Sequence, residues 1–252
     1  MDMTTKADPK SRQGKVAPPG LTLQEIAASV LPLPERESLS EKEREAFDYI
    51  VKRSKIWFES TPENKGQEYR MSPLYVGLLQ TPEVADLWIR LTDMLGTSES
   101  RGSFSARDRD WIRLTVPVRL KTLIQGLQIA DAVASGIDPR DIKSLLDNHL
   151  EDLTPEDRQI VEYVQATMDG EVTRELYEGM EARMGAKGAV EFTTSVLFVM
   201  AIRRLIQAIW AMQGYELPDR STDYDIIQSF IDGSAPVHGY DRLNDVVKKA
   251  GA

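Results

Sequence analysis

Between Lys187 and Met212 the chain reads GAVEFTTSVLFVMAIRRLIQAIWAM, apolar around most of a helical circumference through Val199. A helix of that kind has to be buried on several sides, which makes it the predicted centre of a helical body. Its longest uninterrupted apolar run, Val196 to Ile202, ends at Arg203 and Arg204. That run falls far short of the roughly 20 residues needed to cross a bilayer. The segment is therefore expected to be a protein core, in a soluble, cytoplasmic chain with no membrane partner.

Helix start signals organise the rest of the chain. Ser40 and Glu43 form a capping box ahead of Phe47, Ile50, Val51, Ile56 and Trp57, and the helix should end before Pro62. Thr61 to Tyr69 reads as a loop, and Ser72-Pro73 opens a short apolar segment. Thr81-Pro82 starts a further helix with Val84, Leu87, Trp88, Leu91 and Leu95 on one face. Ser105 with Asp108 opens another, carrying Trp111, Ile112, Leu114 and Val116, which Pro117 is expected to stop or kink. Lys121 to Ser135 is predicted as one helix with Leu123, Leu127, Ala130 and Ala134 aligned and Gly136 as its cap. Asp138-Pro139 and Thr154-Pro155 start two more, and Thr173 to Met184 a short one.

No segment alternates with period two, so no strand is predicted and the fold class is all-α. Four segments follow: a disordered tail over residues 1–20, an N-terminal helical segment over 21–69, a helical core over 70–214 and a C-terminal helical extension over 215–252. The first twenty residues hold four cations and two acids but no apolar stretch, so no secretory signal is expected.

Composition then removes whole classes of chemistry. A formal net charge of -9 gives no support to a phosphate-tracking surface, so nucleic acid is not an expected partner. The absence of cysteine excludes disulfides, thiolate metal sites and thiol peroxidase chemistry. With only His149 and His238 in the chain, no metal and no cofactor are expected. Nor are there glycine-rich phosphate loops, HExxH or GxSxG motifs.

What remains are polar side chains on apolar helices, where burial is costly unless they are paired or used. Lys121, Gln125 and Gln128 follow one another at i, i+4 and i+7. A desolvated lysine can serve as base or nucleophile, and amides can hold an enolate oxygen. The competing reading is an exposed stripe with a snorkelling lysine. On the central helix, Glu191, Arg203, Arg204, Gln207 and Trp210 form a second group, with Arg203 suited to a substrate carboxylate. Salt bridges between helices or subunits account for that group equally well. His149 can move protons near neutral pH, although a loop histidine among acids is more often solvated, and His238 lies in the irregular tail.

The blocks RMSPLYVGLLQTPEVADLWIRL, FSARDRDW, ADAVASGIDPRDIKSLL, LTPEDRQIVEYV and GAVEFTTSVLFVMAIRRLIQAIW, in that order over about residues 70–214, resemble the carboxymuconolactone decarboxylase-like, or alkyl hydroperoxidase D-like, superfamily. The resemblance implies an all-α homo-oligomer (dimer, trimer or hexamer) with pockets formed partly between subunits. The family's two cysteines and histidine fall at Lys121, Ile124 and Gln128, none of which matches. Its upstream glutamate falls near Arg109 or Asp110, and only Asp110 can stand in for it.

Two functions are expected from this combination. One is a cofactor-independent decarboxylase, isomerase or cyclase acting on a carboxylated or polyketide-like small molecule. Lys121 and Gln128 would stabilise an enolate, Asp110 or His149 would move protons, and Gln125, Arg203, Gln207 and Trp111 would bind substrate. The other is a non-catalytic small-ligand binder or assembly partner built on the same scaffold.

Overall fold

The computed structural model describes residues 15–16, 20–60, 64, 66–96, 103–124, 126–216 and 221–235. Ten helices appear among them: α1 (Leu23–Ala27), α2 (Glu41–Ser60), α3 (Pro73–Leu78), α4 (Pro82–Gly96), α5 (Ala106–Arg119), α6 (Gly126–Ala134), α7 (Pro139–Asp147), α8 (Pro155–Asp169), α9 (Arg174–Met212) and α10 (Ser221–Ile231). The chain is mostly helical, as its patterning predicts. The expectation of no strand is corrected at one place, where β1 (Lys15–Val16) pairs in parallel with β2 (Tyr215–Glu216). Two residues are too few to show an alternation, and the first pair lies within the segment expected to be a disordered tail.

The caps form where the side-chain chemistry demands them. Ser40 and Glu43 satisfy each other's backbone N–H groups, at 3.4 and 2.9 Å, ahead of α2. Ser105 and Asp108 do the same for α5, both at 3.1 Å. Asp138 and Thr154 cap α7 and α8, each followed by a proline at the first helical position.

Two apolar clusters hold these helices together. The first gathers Leu21, Ile26, Phe47, Ile50, Met71, Val76, Ala85 and Ile89 from α1 to α4 and their connections. The second, larger one runs from Trp111 through α6, α7 and α8 to Phe192 and Val196 of α9, and takes in Ile227 of α10. Helix α9 joins the two, since Leu205 packs on the first cluster while its earlier turns fill the second. A Cβ on Gly77 would lie 2.3 Å from Ile209 Cδ1, so only glycine lets α3 seat this closely on α9.

The 39 residues of α9 include one break, at Gly185, whose φ of 75° and ψ of 163° are not helical. A side chain there would be strained. The two arms on either side correspond to the two helices that the sequence predicts. By length and composition α9 also meets the measure of a membrane-crossing helix. In the fold it packs against α3, α5 and α8.

Helices α5 and α8 are locked by one carboxylate. Asp157 is fully buried; its Oδ1 accepts from the Trp111 indole at 2.9 Å and from Arg107 Nη1, and its Oδ2 accepts from Arg107 Nη2 at 2.6 Å. Its own backbone N–H donates to the Thr154 cap at 3.2 Å, so a residue of the first turn of α8 also anchors α5. On the other side, Arg183 donates to the Asp108 carboxylate at 2.8 Å and ties the first arm of α9 to the start of α5.

The predicted helix from Lys121 to Ser135 is shorter than expected. Residues 120–124 form a non-helical link and α6 begins at Gly126. The cause is a left-handed cap on α5: Lys121 has φ 56°, the Thr122 N–H donates to Pro117 O at 2.8 Å, and the Lys121 N–H donates to Val118 O at 3.1 Å. This is the Schellman arrangement, with lysine at the position that glycine usually takes. Pro117 lies within α5, and the helix ends at Arg119.

Two outcomes are expected in denaturant unfolding. Asp157→Ala lowers stability by about 3 kcal/mol, because the buried Trp111 N–H loses its acceptor and Arg107 its partner. Lys121→Gly raises stability by up to about 1 kcal/mol, because glycine adopts the left-handed region without the side-chain penalty.

Candidate functional site: a buried arginine and aspartate cluster

Four helices deliver charged or amide side chains to one buried region. Helix α5 supplies Arg109, Asp110 and Arg113, α6 supplies Gln128 and Asp131, α9 supplies Arg203, and α10 supplies Asp223. The i, i+3 and i+4 relations among Arg109, Asp110 and Arg113 put them on adjoining faces of α5. The Asp157 lock holds the same stretch of α5 through Arg107 and Trp111, on either side of Arg109 and Asp110.

Asp110 has no exposed surface. Its Oδ1 accepts long contacts from Arg109 Nε at 3.3 Å and Arg113 Nη1 at 3.5 Å, and its Oδ2 is buried without a hydrogen-bond partner among the described residues. Arg113 Nη1 reaches Asp131 Oδ2 as well, at 3.5 Å. Burial and the neighbouring Arg113 charge lower the pKa of Arg109, against the pull of Asp110 and Asp131.

Arg203 is 6% exposed, yet its guanidinium finds only neutral acceptors: the Leu123 carbonyl at 3.3 Å and the Gln128 side-chain oxygen. Among the described residues no carboxylate oxygen lies within 4.0 Å of it. Desolvation, reinforced by the Arg113 charge, lowers its pKa to about 10, while Asp223 acts the other way. It remains a cation at neutral pH, a buried charge without a contacting anion.

Of the sequence candidates, the fold brings Asp110, Gln128 and Arg203 into this region and sends the others elsewhere. Lys121 is exposed and serves as the left-handed cap of α5. The His149 ring is 60% exposed, and its Nδ1 lies 3.0 Å from Glu151, which raises its pKa. Trp111 is a core residue whose indole N–H is spent on Asp157. Gln207 accepts from Arg204 at 3.0 Å on the outside of α9, and Glu191 pairs with Lys187 at 3.5 Å. Trp210 stands edge-on to Tyr215, ring centres 5.3 Å apart. Gln125 and His238 lie outside the described residues.

Arg113, Asp131 and Asp223 are not among the candidates that the sequence singles out. A signal exists for the first two: Arg113 follows Arg109 at i+4 between Ile112 and Leu114, and Asp131 follows Gln128 at i+3 on an otherwise apolar segment. Asp223 sits in the first turn of its helix, where an acid reads as ordinary dipole compensation.

Two further polar features lie away from this cluster. Arg53, 2% exposed, donates to Tyr75 Oη at 2.7 Å and pairs with Asp93, joining α2, α3 and α4. A surface hollow of about 420 Å³ is lined by Pro155, Arg158, Gln159, Glu162, Glu175 and Leu176. Arg158 is committed there to the carbonyls of Leu150 and Glu151, at 2.9 and 2.7 Å. No group of three or more His, Cys, Asp or Glu side chains able to hold a metal occurs among the described residues. No family model, no curated protein and no solved structure matches the chain.

Proposed function

We propose that the protein binds a carboxylated small molecule at the buried arginine cluster and acts on it without a cofactor, by decarboxylation, isomerisation or cyclisation through an enolate. The observation that carries this reading is Arg203, a buried cation whose acceptors among the described residues are a backbone carbonyl and an amide oxygen. A guanidinium in a structural ion pair would have its carboxylate in contact. One that receives an anionic ligand has the geometry seen here.

Asp110 supplies the proton chemistry of this reading, through the buried oxygen that no described residue engages. In an isomerisation it takes the proton from the carbon beside the carbonyl and returns it at another carbon. In a decarboxylation the carbon–carbon bond breaks, CO2 leaves, the bond's electron pair enters the enolate, and Asp110 relays to the carbon a proton drawn from solvent. Gln128 and the arginines stabilise the charge that develops. Lys121 and His149, both at the surface, take no part.

A second reading, a non-catalytic ligand binder, is favoured by that same displacement, since Asp110 is left as the one proton carrier among the four catalytic candidates. Association of copies, which the family resemblance implies, is supported by the apolar side chains exposed on α4 (Val84, Leu87) and on α9 (Val190, Leu197).

Untargeted mass spectrometry of the protein incubated with a metabolite extract from its own source, against boiled protein and with no cofactor added, separates the two readings. Conversion with loss of CO2 or at unchanged mass is the expected result; retention of a carboxylated compound without conversion establishes the binder. On the converted compound, Asp110→Asn is expected to lower kcat at least about 100-fold. Arg203→Lys is expected to raise KM at least about 10-fold, the worth of a charge-assisted bidentate contact. Wild-type behaviour of both variants overturns the assignment of the site.

A further inference from the structure

The second arm of α9 turns an apolar stripe to solvent. Val190, Thr194, Leu197, Ala201, Arg204 and Ala208 follow one another at steps of four and three residues, so they lie along one face. All are exposed except the half-buried Ala201, and Val190 keeps 59% of its surface. Helix α4 lies alongside, because Trp88 packs on Phe198 with ring centres 5.3 Å apart. The neighbours of Trp88 at i−4 and i−1, Val84 and Leu87, are exposed too, Leu87 at 67%. The stripe on α9 is about 27 Å long, and with α4 beside it the face is two helices wide, which comes near the 800 Å² or so per partner of a standard interface. Single apolar residues at a surface need no explanation, but a contiguous face of this size marks an interaction site.

We infer that a second copy of the chain covers this face, with the two α9 helices antiparallel about a two-fold axis at the level of Val199. Positions equidistant from residue 199 then meet: Leu197 meets Ala201, Val190 meets Ala208, and Thr194 meets Arg204. Each bulky side chain stands opposite a small one, which lets the helices approach and interdigitate. The Thr194 hydroxyl donates to the Val190 carbonyl at 2.8 Å, so its oxygen is free to accept from the facing guanidinium. Within its own chain Arg204 spends one nitrogen on Gln207 Oε1, at 3.0 Å, and keeps others for that contact. The two Arg204 charges lie about 15 Å apart in this arrangement, beyond the screening length at physiological salt. A parallel pair in register would instead set Arg204 on Arg204 and Leu197 on Leu197. A lipid surface fits less well, since a net charge of -9 is repelled by an anionic bilayer. The contact uses the same patch on both copies and so closes at two. It gives the association of copies a face, a direction and a register, and it does not depend on a ligand at Arg203.

Sedimentation velocity of the full chain, joined to cross-linking of introduced cysteines, tests this, since the chain has no cysteine of its own. The wild type is expected to sediment as a dimer. Leu197→Asp and Ala208→Arg, both at exposed positions, are each expected to weaken association at least about 10-fold at unchanged circular dichroism. With a short bismaleimide, Val190→Cys mixed with Ala208→Cys is expected to give a cross-linked pair. Val190→Cys alone is expected to give none, because the two copies of residue 190 lie about 27 Å apart along the helices. A wild type that stays monomeric overturns the pairing together with the association of copies. A dimer that neither Leu197→Asp nor Ala208→Arg weakens overturns the pairing and leaves association through another face. Cross-linking of Val190→Cys to itself overturns the antiparallel register. A monomer that floats with phosphatidylcholine vesicles assigns the face to lipid and overturns the second copy.

Discussion

The buried carboxylate of Asp157 is the contact on which the geometry of the larger helical cluster depends. It accepts three hydrogen bonds from α5, two from the Arg107 guanidinium and one from the Trp111 indole, while its backbone N–H donates to the Thr154 cap of α8. An unpaired carboxylate at zero exposure would cost several kcal/mol, so α5 and α8 have little freedom to rotate about each other once it is satisfied. Rotation of α5 is what decides where Asp110 and Arg113 go. With Trp111 turned towards Asp157, the neighbouring positions are directed towards α6 and α9. A structural ion pair thus sets the direction in which the polar residues interleaved with it point.

The two buried polar centres differ in how their charge is compensated. Around Arg53, a carboxylate and a tyrosine hydroxyl are in direct contact, as expected of a pair whose role is to join three helices. Around Arg203 the nearest acceptors are neutral, and Asp110 keeps an oxygen that nothing described engages. Both centres leave one buried polar atom unmatched among the described residues, Arg53 Nε in the first and Asp110 Oδ2 in the second, so what sets the second apart is a guanidinium with no carboxylate in contact. That missing carboxylate is the feature on which the proposed ligand site rests.

Much of the fold is legible in the sequence because it is written in local terms. A cap and a proline satisfy backbone groups within one turn, so Ser40, Ser105, Asp138 and Thr154 announce their helices. Gly185 likewise divides α9 where the apolar pattern changes. The link between α5 and α6 is not legible in the same way, since lysine at a left-handed position carries none of the warning that glycine does. The candidate site divides similarly. Gln128 and Arg203 stand out as polar residues on apolar helices, but nothing local shows that they meet across 75 residues of chain. Asp223, separated from Ile124 by 99 residues, has no local signal at all.

The position of Lys121 bears on mechanism beyond its effect on stability. A lysine that acts as nucleophile or base needs a lowered pKa, and that requires a desolvated pocket or a neighbouring cation. Here the side chain stands in solvent because the backbone beneath it turns left-handed to close α5. That same turn carries Leu123 and Ile124 inward, to Arg203 and Asp223. The conformation that removes lysine from the chemistry is therefore the one that builds the arginine site, so amine catalysis at Lys121 and carboxylate capture at Arg203 are alternatives that this backbone does not combine. Under the proposed function, proton transfer falls to Asp110, the buried carboxylate that stands between two arginines with an oxygen no described residue engages.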